Sequence, residues 1–466
     1  MKAIARLATA VAAGAVTPAA AAVVMPAAAA VTVRDGPGLH VVKSQALDSR
    51  LFAVTVTTPA LNGPVNVRIL LPTGYARHPR RRYPVLYLLH GTSGGAADWT
   101  TLGGAEQATA GRRLIVVMPD IAQNDDGGGW CTNWWNGGAR GVPKWETFHI
   151  DQLVPWVEEN LRTIRARWAR AIAGLSQGGF CSISYAARHP DLFGIALSYS
   201  GAPDTAYNAD AQALVTPIIN ATEVGLDHVP ANSMFGPRSS QEINWATHDP
   251  TTLAGNLRDT KLFMYTGNGR PGPLDSGVPS SGAETIEAGV QVLTQLFHRR
   301  LDALGIPSYY DDYGPGTHSW PYWGRDLRWS IGPIMSDFAH PTPPPAGFSY
   351  MSADGSYGVY GWTVTMHRRV VEFSTLSASP GEFRLAGSGS ATVLTPARYT
   401  PGVRYQVAIR WRTGARRVVE RSLPDGQLRI EVPLGPSDTV QEYPNDGPPV
   451  GTTVYTTRVT ITRLRG

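Results

Sequence analysis

The pentapeptide Gly174-Leu175-Ser176-Gln177-Gly178 holds the residue types that a nucleophilic serine needs. The apolar run Arg170-Ala171-Ile172-Ala173 precedes it, and a stretch of helical character from Gly179 to Arg188 follows. Strand, Gly-x-Ser-x-Gly, helix is the order of a nucleophile elbow. The glycines permit a sharp turn and leave no Cβ to crowd the serine. A serine hydroxyl attacks only when a base removes its proton, and that base needs an orienting carboxylate. On a parallel hydrolase sheet the chain order is serine, acid, histidine. His318 stands in the late loop Gly314-Pro315-Gly316-Thr317-His318-Ser319-Trp320, where the base is expected, whereas His189, His228 and His298 read as surface residues. Asp275, Glu284, Glu287, Asp311 and Asp312 all fall between serine and histidine, so spacing alone leaves the acid open. The developing oxyanion requires backbone N–H donors. One is expected from Gln177 and the other from Thr92, in the loop Leu88-Leu89-His90-Gly91-Thr92-Ser93.

Elements that position these residues are legible as alternating apolar runs and amphipathic stretches. Phe52–Val56, Val65–Leu71, Tyr83–Leu89, Leu114–Met118, Ile195–Ser200 and Lys261–Tyr265 read as strands, and Phe148–Arg165 and Ala283–Leu304 as helices. The continuous apolar runs suit strands buried on both faces, and strand–helix alternation predicts an α/β fold with a mostly parallel sheet. Pro341-Thr342-Pro343-Pro344-Pro345 reads as a stiff extended linker. Beyond it Trp362–Met366, Val370–Phe373, Tyr405–Ile409, Leu428–Val432 and Tyr455–Ile461 read as short strands of a small all-β, sandwich-like domain. The expected organisation is a signal peptide at 1–30, a catalytic domain at 31–340, a linker at 341–346 and an accessory domain at 347–466.

At 42% hydrophobic and 17% charged residues, the 466-residue chain has the composition of a globular protein with room for two domains. Lys2 and Arg6, the uncharged Ala/Val-rich stretch Leu7–Ala30 and the small residues Ala28-Ala29-Ala30 form an export signal, which predicts a secreted or cell-wall-associated protein. No later segment reads as transmembrane. The net charge of +5 is concentrated after Ala346, with no aromatic-interleaved basic motif, so nucleic acid is not an expected partner. Contact with wall or polysaccharide through the C-terminal domain is. Cys131 and Cys181 are the only cysteines, either one disulfide or free thiols. Metal-ligand spacing is absent, and no cofactor is expected. Trp130, Trp134, Trp135 and Trp145 crowd one segment and read as a mixture of core and binding wall.

Tyr87-Leu88-Leu89, Val117-Met118-Pro119, Lys144-Trp145-Glu146-Thr147-Phe148, Gly174-Leu175-Ser176, Gly267-Asn268-Gly269 and Thr317-His318-Ser319-Trp320-Pro321-Tyr322-Trp323-Gly324 occur in this order. Together they resemble the secreted mycolyltransferases of the antigen 85 complex, within the esterase D superfamily of α/β-hydrolases. The resemblance runs from about Val54 to Leu327. It implies an α/β-hydrolase fold and a Ser-Glu-His triad, and its register places the acid at Glu287, with Glu284 in reserve. The family loop that holds trehalose reads Asp-Gly-Leu-Arg, and His90-Gly91-Thr92-Ser93 stands here instead, a departure that looks more like general esterases of the superfamily. His90, Ser93, Trp135 and Trp320 are the expected substrate-binding residues. The leading expectation is an exported serine ester hydrolase working through an acyl-enzyme on a lipid, acylated sugar or polymer. An acyltransferase acting on a sugar or lipid alcohol shares every step until deacylation. A non-catalytic wall-binding protein is the reading from another class.

Overall fold

A computed structural model describes residues 32–123, 127–136, 142–277, 280–442 and 453–464. The expected export segment, 1–30, lies outside the described residues. Nine strands form one sheet. β1 (His40–Ala46), β2 (Leu51–Thr57) and β3 (Val65–Leu70) pair antiparallel, and β3 continues antiparallel onto β5 (Ile115–Pro119). From β5 the sheet runs parallel through β4 (Val85–Leu89), β6 (Arg170–Leu175), β7 (Ile195–Tyr199), β8 (Lys261–Thr266) and β9 (Tyr309–Asp312). This is the α/β-hydrolase arrangement. β4 to β7 are buried at every position, the signature of strands covered on both faces. Alternate residues feed two cores: Val85, Tyr87 and Leu89 face one, Leu86 and Leu88 the other.

The helices are α1 (Asp98–Thr101), α2 (Ala105–Ala108), α3 (Val154–Asn160), α4 (Gln177–Arg188), α5 (Ala209–Gly225), α6 (Arg238–Ala246), α7 (Ser281–Ala303) and α8 (Trp320–Ala339). All twelve residues of α4 are buried. The helix expected over Phe148–Arg165 is shorter and of two kinds: a π-helical stretch, Thr147–Leu153, runs into α3. Pro155 stands in the first turn of α3, where a missing N–H is tolerated.

After α8 the chain enters two antiparallel sheets. One has the order β10 (Phe348–Ser352), β13 (Ser374–Ser379), β14 (Glu382–Gly387), β19 (Tyr455–Arg463), β16 (Arg404–Trp411), β17 (Gly414–Arg421). The other has β11 (Ser356–Val359), β12 (Trp362–His367), β15 (Ser390–Leu394), β18 (Arg429–Pro433). Leu385, Val407 and Val459 from the first pack with Val364, Val393 and Ile430 from the second in one core. Val370–Phe373 is not a strand. Its polar groups are committed elsewhere: the Phe373 N–H donates to Glu442, and the Glu372 carboxylate accepts from the Ser388 N–H and hydroxyl.

The sandwich meets the α/β layers at the C-terminal end of α4. The Tyr350 hydroxyl donates to the Arg188 carbonyl at 2.6 Å. Asn256 bridges Ala187 and Met351, and the Tyr360 N–H donates to Asp191 at 2.9 Å.

Candidate active site

Four neighbouring parallel strands end at the site: β4 leads into His90, β6 into Ser176, β7 into Ser200 and β8 into Gly267. The carboxyl edge of an open α/β sheet is where loops gather without blocking one another. Ser176 heads α4 with φ 52° and ψ −121°, a conformation costly for a residue with a Cβ. Backbone packing shows why its neighbours are glycine. A Cβ on Gly174 would lie 2.2 Å from the Gly178 carbonyl oxygen, and one on Gly178 2.2 Å from that of His90. One on Gly91 would meet Leu175 at 2.5 Å and the Ser176 Cβ at 3.2 Å. The elbow and the loop after β4 are therefore interlocked at backbone contact. Ser176 is half-buried, and its hydroxyl makes no hydrogen bond among the described residues.

Glu287, on α7, is fully buried. Its Oε1 accepts from the Ser200 hydroxyl at 2.8 Å and the Gly267 N–H at 2.7 Å. Its Oε2 faces His318 Nδ1 at 2.7 Å. An ionised carboxylate only accepts, so Nδ1 carries a proton, and in the neutral ring Nε2 then keeps its lone pair. Nε2 meets no partner among the described residues. Trp323 packs edge-on against the ring at 4.9 Å between centroids. Of the five candidate acids, Glu287 is the one bonded to His318. Glu284 is half-buried one turn earlier and does not bond the ring. Asp312 accepts from Gln291. Asp275 instead holds the histidine loop, taking hydrogen bonds from the hydroxyls of Thr317 and Tyr322 and from the Gly272 N–H.

Gln177 opens α4, so its N–H has no intrahelical acceptor. Its side-chain Nε2 reaches the Thr92 hydroxyl at 3.4 Å, tying together the two loops expected to supply the oxyanion donors. Thr92 and Ser93 are exposed. His90 requires correction as a substrate contact. It is buried, the Ile121 N–H donates to its Nε2 at 2.8 Å, and its Nδ1 pairs with the Gly91 carbonyl at 2.7 Å. Burial lowers its pKa to about 4, so a neutral ring with both nitrogens engaged pins the loop. Trp130 and Trp145 are core residues, Trp134 packs against that core, and Trp135 is exposed. Trp320 is half-buried, edge-on to Trp99 and Trp323. Cys131 and Cys181 form a disulfide that ties the tryptophan loop to α4. Sequence reasoning missed Ser200 and Gly267, the donors that complete Glu287. Both stand one residue past a strand end, which was the available signal.

A second histidine–carboxylate cluster lies at the other end of α4. The Arg188 Nε donates to Glu146 Oε1 at 2.7 Å, His189 Nε2 lies 2.8 Å from the same oxygen, and His248 Nε2 is 3.8 Å from Oε2. Arg188 also meets Asp354 of the sandwich at 3.1 Å and the Thr247 carbonyl at 2.7 Å. Burial pushes the Glu146 carboxyl up, but Arg188 and the two histidines together hold it well below the usual range. Burial and the charge of Arg188 lower the His248 pKa to about 4. His189, expected at the surface, is half-buried in this network.

The Esterase family matches residues 58–330. The esterase Rv1288 of Mycobacterium tuberculosis is 33% identical over 287 residues, covering 61% of this chain and 59% of the relative, so this chain spans less than two thirds of that relative's length. The diacylglycerol acyltransferase/mycolyltransferase Ag85B of Mycolicibacterium smegmatis is 32% identical over 224 residues, 46% of this chain and 64% of the relative. Among solved structures, Mycobacterium tuberculosis MPT51 aligns with a TM-score of 0.49 at 24% identity, over 61% of this chain and 97% of that one.

Proposed function

Because this chain belongs to the Esterase family, we propose that it is an exported serine ester hydrolase with Ser176, His318 and Glu287 as its catalytic residues. Residues 31–340 form the catalytic domain, and residues 347–466 an accessory domain that contacts cell wall or polysaccharide. The observation that carries the reading is the Glu287–His318 bond at the carboxyl edge of the sheet, with one carboxylate oxygen saturated and the imidazole Nε2 left open. His318 Nε2 takes the proton as Ser176 Oγ attacks the ester carbonyl. The oxyanion is held by the N–H groups of Gln177 and Thr92. The imidazolium, stabilised by Glu287, returns the proton to the leaving alcohol, and an acyl-serine remains. Water then repeats the sequence in reverse and frees the acid. Ser93, Trp135 and Trp320 line the substrate's approach.

Acyl transfer is the second reading, favoured by the 32% identity to Ag85B. It differs only in the group that accepts the acyl chain. Product analysis on short, medium and long acyl esters, with and without trehalose, separates the two, with Ser176→Ala as control. Free acid that disappears in the variant supports hydrolysis. A new acyl-trehalose supports transfer. Undiminished turnover in Ser176→Ala overturns both.

A further inference from the structure

Residues 347–466 contain fourteen arginines, no lysine and nine acidic residues. The excess is not spread evenly. Strand register places Arg384 of β14 directly opposite Arg458 of β19, and Arg458 opposite Arg410 of β16. Arg404 of β16 stands opposite Arg421 of β17, and Arg417 lies on the same side, opposite Ala408. All six are exposed, while the intervening residues Tyr405, Val407, Ile409 and Val459 point into the core. Six guanidinium groups thus share the outer face of one sheet, at strand spacings of about 4.8 Å. Glu382 is the acid paired on this face, meeting Arg384 and Arg458. Like charges placed directly opposite across strands destabilise a sheet. Glu382 offsets the Arg384–Arg458 pair, so Arg410 opposite Arg458 and Arg404 opposite Arg421 work against the fold unless something anionic covers them.

The sandwich supplies its own control. On the outer face of the other sheet, Arg429 is balanced by Glu431 at 3.6 Å, and Glu431 also accepts from Thr392. There the charges cancel.

We propose that the arginine face of the six-stranded sheet binds an acidic polysaccharide through its carboxylate groups. The side-chain chemistry selects this partner. Guanidinium forks match carboxylates in bidentate geometry, and here arginine is used to the exclusion of lysine. Between the arginines stand Gln406, Thr456, Thr460 and Thr462, hydrogen-bonding groups suited to sugar hydroxyls. Among the described residues the strands of this face carry no outward aromatic ring on which nucleobases would stack, and Val419 is the one large exposed apolar side chain within them, which gives a bilayer little to bury. The inference extends the wall contact proposed above from a region to a surface and rests on that reading only for the presence of a polymer outside the cell.

The test is retention of the full-length protein in gels containing polygalacturonate, with neutral dextran as blank, and co-sedimentation with single-stranded DNA and phosphatidylglycerol vesicles alongside. Binding is read without turnover, so its outcome is separable from that of the ester hydrolysis reading. We expect retention by polygalacturonate that is lost in 0.5 M salt, as for any exposed ion pairing (a concentration at which the Debye length falls to roughly 4 Å). The triple variant Arg384→Gln, Arg410→Gln, Arg417→Gln is expected to bind at least about tenfold more weakly, and Arg429→Gln to match wild type. Equal retention of the triple variant, equal loss in Arg429→Gln, or stronger binding to DNA or vesicles than to the polymer overturns the proposal. Matching thermal melts of the variants and wild type guard against misfolding. If the triple variant melts lower, Arg410→Gln alone replaces it, with weakened retention expected and unchanged retention overturning the proposal.

Discussion

Two histidine–carboxylate pairs in this molecule have nearly the same length, 2.7 Å for His318–Glu287 and 2.8 Å for His189–Glu146. They differ in what surrounds them. Glu146 is neutralised by Arg188, and Arg188 in turn engages Thr247 and Asp354, so that network closes on itself at the seam with the sandwich. Glu287 meets no cation among the described residues. Two neutral donors hold one of its oxygens, and the imidazole on the other keeps a free nitrogen. A closed network resists motion and proton movement alike. An open one has a proton to give and a place to take one from. Pair distance alone does not tell the two apart.

The comparison can be broken most forcefully at its open end. Ser176→Ala or His318→Ala is expected to lower kcat by about 10⁴-fold or more while the thermal melt stays near wild type. Glu287→Gln should cost roughly 10²- to 10⁴-fold, because the amide no longer fixes the Nδ1–H tautomer. Glu284→Gln should change kcat by less than about twofold, and a large loss there would move the acid. At the closed end the effect is on stability. Glu146→Gln leaves Arg188 with Asp354 as its remaining carboxylate and is expected to cost roughly 3 kcal/mol or less by denaturant titration, with kcat of the folded fraction preserved.

The smallest effect sharpens the contrast through pH. His248 titrates near 6.5 in an unfolded chain and near 4 in the fold. As pH falls through that window the unfolded state gains the proton first, so native stability drops. Glutamine cannot titrate. The stability lead of wild type over His248→Gln should therefore shrink between pH 7 and pH 4, by up to about 3 kcal/mol. A lead that stays constant would mean that His248 takes up its proton over the same pH range in the folded and unfolded states.

How far the sequence could be read follows the same division. The elbow was legible because its glycines are local necessities, each forced by a backbone contact within a few residues or at one neighbouring strand end. The buried parallel strands were legible because they are apolar throughout. Spacing left five acids open and the family register favoured Glu287 with Glu284 in reserve; of the five, Glu287 is the one bonded to His318. What stayed hidden depends on distant partners. Arg188 gathers groups from residues 146, 247 and 354, and no periodicity announces that. His90 read as a substrate contact because it stands at a strand end beside the nucleophile. Burial and the Ile121 N–H make it a brace instead. The strand expected at Val370–Phe373 had the right composition, but side-chain carboxylates competed for backbone donors.

The contacts at the end of α4 also set a timetable. Chains emerge from the ribosome N-terminus first, and segments fold as their partners appear. Tyr350 and Asp354 trail Arg188 by 162 and 166 residues. β19, the last strand, inserts between β14 and β16 to complete its sheet. The helix that begins at Ser176 therefore waits for residues 162 and 166 positions beyond Arg188 before its own end is sealed. A nascent chain halted before Tyr350 carries Ser176, Glu287 and His318 but not the sandwich partners of Arg188.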